Sequence, residues 1–342
     1  MERAGRPRGN WRIPGRCAVV RLGRVLGVVC LLTTLAACGG SDTGGALSSD
    51  EALEILTLTQ HPSPTSPAGD GELDVDPLRQ GSGVGTQTPV IFIHGFDFPL
   101  GGRSPRQQMD DMIAGLSQRV ADWDGRFQAW LYIYDPLKHL ADSAEELAGE
   151  LRRLAYQGPV ILVGYSQGGL VARSFDTQFG GEFPVVRLIM IATPNGGLPL
   201  EAMKGMLLED INRLPDPLPT TLVREVARVI YREVFDRREV SDDLVEGSAF
   251  LAGLAPPSER YYAYAGVGSD TNLFLDYVSN LDLYADIPND GLVSVESVEA
   301  GLIAGRTAEI SPGGGYLDNS HFSIVRAPAV FAAVAERLQV SF

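Results

Sequence analysis

Cysteine is almost missing from this chain of 342 residues, and its few positions exclude a good deal. The three cysteines are Cys17, Cys30 and Cys38. Everything after residue 38 therefore lacks a thiol for a disulfide, a thiolate metal site or a cysteine nucleophile. Stability has to come from burying a core, which a domain of about 250 residues can supply. Histidine is scarce as well, with four in the chain, so any chemistry needing an imidazole has few places to find one. Basic residues are outnumbered, 28 against 43 acidic ones, for a formal charge of −15. That balance argues against nucleic acid as a partner, because phosphate contacts need clustered Lys and Arg. There is no internal repeat. The glycine clusters Gly101-Gly102 and Gly313-Gly314-Gly315 lack the spacing of a phosphate loop, and nothing points to a metal, nucleotide or flavin cofactor.

The amino-terminal residues have the layout of an export signal. Arg3, Arg6, Arg8, Arg12, Arg16, Arg21 and Arg24 precede an apolar stretch over residues 25–35, which is short for a permanent membrane span. The stretch closes on Leu35-Ala36-Ala37-Cys38-Gly39, which resembles the lipobox of bacterial lipoproteins. The resemblance implies removal of residues 1–37 and a lipid on Cys38, holding the chain to the membrane of a bacterial cell envelope. Gly39, where an aspartate would signal retention, favours the outer membrane if the cell is Gram-negative. An ordinary secretory signal cut near Ala37 is the alternative. Losing residues 1–37 removes seven arginines and one glutamate, taking the formal charge from −15 to −21. Residues 38–88 then read as the lipidated cysteine and a tether rich in Gly, Ser, Thr, Pro and Asp, too polar to bury a core.

From residue 89 onward, strand and helix patterns alternate. Strands are expected at 90–93, 127–134, 160–163, 185–191 and 261–267, with 289–293 and 307–310 bracketing the last strand region. Helices are expected at 105–121, 140–156, 170–179 and 324–338, the last with Pro328 in its first turn. The strands are continuous apolar runs, as strands buried on both faces are. This predicts an α/β fold, a mostly parallel central sheet with helices on both faces, over residues 89–342. The alternation breaks at 198–255. Two amphipathic helices, 200–208 and 222–235, are expected there around the proline-rich 214–219, as a helical lid over a pocket or a surface hairpin that merely packs.

The chemistry centres on Gly164-Tyr165-Ser166-Gln167-Gly168. The apolar run 160–163 enters a G-x-S-x-G pattern and a helix leaves it, which makes Ser166 a candidate nucleophile on a sharp strand-to-helix turn. Gly164 and Gly168 flank it where side chains would clash. A serine hydroxyl needs a base within hydrogen-bond reach. His61 lies in the tether, His94 ends the first strand, and His139 follows the strand before the turn, where a surface histidine is the ordinary explanation. His321, in the loop before the last helix, remains. A carboxylate must orient that imidazole. Asp290 is preferred because Asn289-Asp290-Gly291 forms a tight turn, with Asp282 and Asp286 as competitors. Backbone N–H groups for a developing oxyanion are expected from Gln167, directly after the serine, and from Phe96. Gly95 would allow close backbone approach there, and His94 would brace the loop.

Together, His94-Gly95-Phe96, Gly164-Tyr165-Ser166-Gln167-Gly168, Thr193-Pro194-Asn195-Gly196-Gly197 and Asn289-Asp290-Gly291-Leu292-Val293 resemble the bacterial lipase and esterase branch of the α/β-hydrolases. The likeness extends to relatives related to GPI inositol-deacylases, and it covers residues 89–340. It implies a serine hydrolase of carboxylic esters, with Ser166 as nucleophile, His321 as general base and Asp290 as its acid. It also implies an oxyanion hole from the amides of Phe96 and Gln167, and with it an acyl-enzyme. Leu, Val and Ile in the expected lid helices suggest an apolar acyl part in the substrate, though core packing explains those residues equally well. Phe322 and Ser323 stand where many such lipases have a calcium-binding aspartate, so no calcium site is expected. A non-catalytic surface lipoprotein on the same scaffold, or an acyltransferase using the same acyl-enzyme, are the competing readings.

Overall fold

The computed structural model describes residues 72–75, 87–96, 104–205, 238–256, 258–268, 284, 287–300, 302, 316–317 and 320–339. The signal, Cys38, most of the tether, the expected helix 222–235, the strand region 307–310, and Asp282 and Asp286 lie outside those residues.

Among the described residues one seven-stranded sheet runs in the order β1-β3-β2-β4-β5-β6-β7. The strands are β1 (Glu72–Val75), β2 (Thr88–Ile93), β3 (Phe127–Ile133), β4 (Val160–Tyr165), β5 (Val185–Ile191), β6 (Tyr261–Gly266) and β7 (Tyr316–Leu317). Only β1 runs antiparallel, along the edge of β3; every other pairing is parallel. Residues 72–75, which composition assigns to the tether, are thus part of the sheet.

Between the strands lie α1 (Pro105–Ser117), the single turn α2 (Trp123–Arg126), α3 (Leu140–Arg153) and α4 (Gln167–Phe179). Later come α5 (Arg238–Leu244), α6 (Ala249–Gly253), α7 (Val295–Glu299), α8 (His321–Ile324) and α9 (Pro328–Gln339). α1 starts on a capping box: Ser104 and Gln107 bond each other's backbone N–H, and Pro105 fills the first helical position, where no N–H is needed.

A β-strand alternates its side chains between two faces, and in β2 both are buried. Val90 and Phe92 pack with Met109, Met112 and Leu116 of α1 and with Val330 and Val334 of α9. Ile91 and Ile93 pack on the other face with Leu147 and Leu151 of α3 and Leu170 and Phe175 of α4. The strand order explains this split. The chain moves outward from β2 to β3, then crosses back over β2 to β4 and continues to β5 and β6. Right-handed crossovers in opposite directions place α1 and α3 on opposite faces. Where the direction reverses, between the carboxyl ends of β2 and β4, no crossover covers the sheet edge. In such sheets this crevice is where ligands bind.

The segment from residue 198 departs from the alternation. Residues 200–205 are helical, and α5 and α6 precede β6. Its start meets the end of α5: Leu198 N–H donates to Leu244 O (2.8 Å) and Glu246 N–H to Leu198 O (3.1 Å). Asp243 Oδ2 accepts the Leu140 N–H (2.7 Å) and so caps α3 from another element, with His139 Nδ1 3.3 Å from the same carboxylate.

Candidate active site

Both sides of that crevice carry the residues that the sequence singles out. Ser166 follows β4 and precedes α4, with φ 52° and ψ −125°. An L-residue adopts that backbone only when its surroundings impose it. They do so here by close packing. A Cβ on Gly164 would stand 2.5 Å from Gly169 Cα, and one on Gly168 would run into the carbonyl oxygens of Ile93 and His94. The Ser166 N–H donates to Ile191 O (2.7 Å), which extends the β4–β5 pairing through the turn itself. A strand, a strained serine and a helix in this order on a mostly parallel sheet make this an α/β-hydrolase fold.

His321 approaches from α8. Its Nε2 lies 2.9 Å from Ser166 Oγ and its Nδ1 2.8 Å from Asp290 Oδ2. Asp290 Oδ1 is occupied separately, accepting the N–H groups of Leu292 (3.0 Å) and Val293 (2.7 Å). The turn is sharp because Gly291 has φ 95° and its N–H donates to Asn289 Oδ1 (2.9 Å). A carboxylate oxygen only accepts, so Nδ1 carries the ring hydrogen and Nε2 is left to receive one from the serine hydroxyl. His321 N–H also donates to Asp290 O (2.8 Å), which locks ring and acid in one register. His321 and Asp290 are each 1% exposed and Ser166 6%, so all three residues are shielded from solvent, the serine least.

The ring has a further support. Tyr165 OH donates to His321 O (2.8 Å), and the two rings lie 5.4 Å apart. Burial, with the nearby Asp290 charge, pushes the Tyr165 phenol far up, so it remains a donor.

The loop after β2 faces the serine. A Cβ on Gly95 would come 2.9 Å from Ser166 Cβ. His94 is fully buried behind the loop: its Nδ1 lies 2.7 Å from Gly95 O, and its Nε2 accepts the Tyr134 N–H (3.2 Å). Since the carbonyl only accepts and the amide only donates, the hydrogen sits on Nδ1. Burial pulls this imidazole down to about 4, so it stays neutral. Gln167 opens α4 with a backbone N–H that no helical carbonyl can reach. Its side-chain Nε2 donates to Pro136 O (2.9 Å).

Behind the site, the stretch 193–197 ties α4 to α7, the helix that follows the acid-bearing turn. Asn195 accepts from Arg173 Nη1 (3.0 Å) and donates to Val298 O (2.9 Å). Ser297 Oγ donates to Gly197 O (2.7 Å). Arg173 is 4% exposed, and burial pulls its guanidinium down.

The structure thus brings Ser166, Asp290 and His321 into one hydrogen-bonded series, with Phe96, Gly95 and His94 on one side and Gln167 on the other. Cys38 lies outside the described residues. Sequence reasoning passes over Tyr165, Tyr134 and Gln108. The signal for Gln108 is a polar residue on the apolar stripe of α1, at the spacing of Met109, Met112 and Leu116. Among the described residues, no group of three or more His, Cys, Asp and Glu side chains is placed to hold a metal ion. Nor is any helix there long and apolar enough to cross a membrane.

Neither a protein-family model nor a curated protein matches the chain. Solved structures are similar to it at low identity. The mature form of the Bacillus licheniformis lipase BlEst2 is 21% identical, with 76% of this chain and 94% of that one covered and a TM-score of 0.43. A malate-bound thermophilic esterase from Thermogutta terrifontis is 18% identical, with 79% and 93% covered and a TM-score of 0.42. A membrane phospholipase A described as a bacterial virulence factor is 13% identical, with 91% and 96% covered and a TM-score of 0.41.

Proposed function

We propose that this chain is a serine hydrolase of carboxylic esters that works through an acyl-enzyme on Ser166. The reading is carried by one observation: a serine in a strained strand-to-helix turn, 2.9 Å from an imidazole whose other nitrogen is 2.8 Å from a buried carboxylate. His321 Nε2 takes the hydroxyl hydrogen as Ser166 Oγ bonds to the ester carbonyl carbon. The carbonyl oxygen becomes an oxyanion, which accepts hydrogen bonds from the backbone N–H groups of Phe96 and Gln167. One such donor is worth about 100- to 1000-fold in rate. The carbon–oxygen bond to the alcohol then breaks, and His321 hands its proton to the leaving oxygen. Water attacks the acyl-enzyme, His321 takes its proton, and Ser166 recovers a hydrogen as the acid departs. Asp290 holds the ring in the productive tautomer and stabilises its protonated form throughout.

An apolar acyl part is favoured by the partly buried Phe96, Phe322 and Leu200, which pack on the core cluster of this sheet face. Attachment to the envelope membrane through a lipid on Cys38 completes the proposal, on the strength of the lipobox-like sequence.

Ser166→Ala tests the core of it. The variant is expected to lose hydrolysis of a chromogenic short-chain ester and labelling by a fluorophosphonate probe. A variant as active as the parent chain would refute the reading. An amide or ester formed with an added amine or alcohol would assign acyl transfer instead.

A further inference from the structure

Gln108 sits where the apolar stripe of α1 should have continued. It is 6% exposed, and a carboxamide buried that deeply needs partners. It finds them in the loop after β2: its Oε1 accepts the Gly95 N–H (2.9 Å) and its Nε2 donates to Phe96 O (3.4 Å). Other side chains hold the same loop. Tyr134 OH donates to His94 O (3.0 Å), and His94 Nδ1 donates to Gly95 O (2.7 Å).

Peptide planes turn these contacts into an orientation. A trans peptide is rigid, so fixing its carbonyl fixes the direction of the N–H at its other end. The Gly95 carbonyl shares a plane with the Phe96 N–H, and His94 holds that carbonyl. The plane before it, carrying His94 O and Gly95 N–H, is held by Tyr134 and Gln108. The plane after it begins at Phe96 O, which Gln108 also holds. Gln108 thus grips the loop on both sides of the plane bearing the Phe96 amide. It also occupies the Gly95 N–H, removing that group as an oxyanion donor.

We propose that Gln108 is a positioning residue that aims the Phe96 N–H at the oxyanion. The proposal rests on the ester-hydrolase reading. Gln108 acts through the loop and touches no reacting atom, so its loss affects the transition state more than substrate binding.

Gln108→Met, similar in length but without the carboxamide, provides the test. Three quantities are read on a chromogenic short-chain ester and a fluorophosphonate: kcat, KM, and both the rate and the final stoichiometry of labelling. The stoichiometry counts competent sites however slowly they react. Labelling is expected to reach the parent stoichiometry at a rate reduced together with kcat. The reduction expected is about ten- to a hundredfold, with KM within about threefold, because a small misplacement of a donor costs rate on that scale. A kcat per labelled site within twofold of the parent would overturn the proposal, even if fewer sites label, because that pattern marks a purely structural role. If the methionine variant does not fold, Gln108→Asn, which keeps the carboxamide but shortens its reach, gives the same readouts. Parent protein that neither labels nor hydrolyses would overturn the ester-hydrolase reading and this proposal with it; an active parent with an unchanged Gln108→Met would overturn this proposal alone.

Discussion

His94 spends both ring nitrogens on backbone groups, and burial lowers its pKa from 6.5 to about 4. The unfolded chain therefore binds a proton at this residue before the folded one does. Its stabilising contribution is complete above pH 6.5, declines as pH falls through the window between the two values, and is gone below about 4. The shift corresponds to about 3 kcal/mol. Urea unfolding of the parent should lose about that much more stability between pH 6.5 and 4 than unfolding of His94→Gln, which cannot titrate there. Parallel pH profiles for the two would count against it. At this scale much of the site was legible. That Ser166, Asp290 and His321 lie together could be read because histidine is scarce and an Asn-Asp-Gly turn singles out one acid. The contacts of Gln108 and Tyr165 could not, because their partners are backbone groups of other elements: a polar residue on an apolar stripe flags Gln108 without naming its partner, and nothing local links Tyr165 to His321.

Element boundaries follow the same division. The strand 185–191 matches β5, whereas the helix expected from 170 begins at Gln167. Two glycines at 168–169 look like helix breakers in sequence, yet they are required by packing, since α4 lies against β2 and the stretch after β5. The expected helix 324–338 begins at Pro328 instead, which separates it from the one-turn α8. β1 was hidden because four residues in a polar stretch carry too little periodicity to register. The glycines also allow a paired experiment. Alanine gains about 1 kcal/mol of propensity over glycine inside a helix. At Gly149 on α3 a Cβ would meet nothing within 4 Å, so Gly149→Ala should raise stability by up to that amount. At Gly168 the same Cβ would press on backbone carbonyls, which cannot rotate aside. Overpacking of this kind costs about 1–3 kcal/mol or more and outweighs the propensity gain, so Gly168→Ala should unfold at lower denaturant. Equal midpoints for the two variants would contradict the packing account.

At the scale of the molecule, the fold class and the sequence of alternating elements were legible from residue 89 onward. Continuous apolar strands separated by amphipathic helices admit few other arrangements. The region 198–255 was legible only as an interruption, since amphipathic helices with apolar faces fit a lid and a packed hairpin equally well. The proposed lipid on Cys38 makes a prediction for the whole chain: expressed in a bacterial host, the parent should sediment with membranes and enter a detergent phase, while Cys38→Ser should move to the soluble fraction. Equal partitioning of both would remove the anchor. The left-handed seat of Ser166 carries a wider consequence. Such a conformation costs about 1–3 kcal/mol, which the rest of the domain must offset. If Ser166 is the nucleophile proposed above, natural variation that relaxes this residue would yield sturdier but inert protein, so selection for durability and selection for turnover would pull this one position in opposite directions.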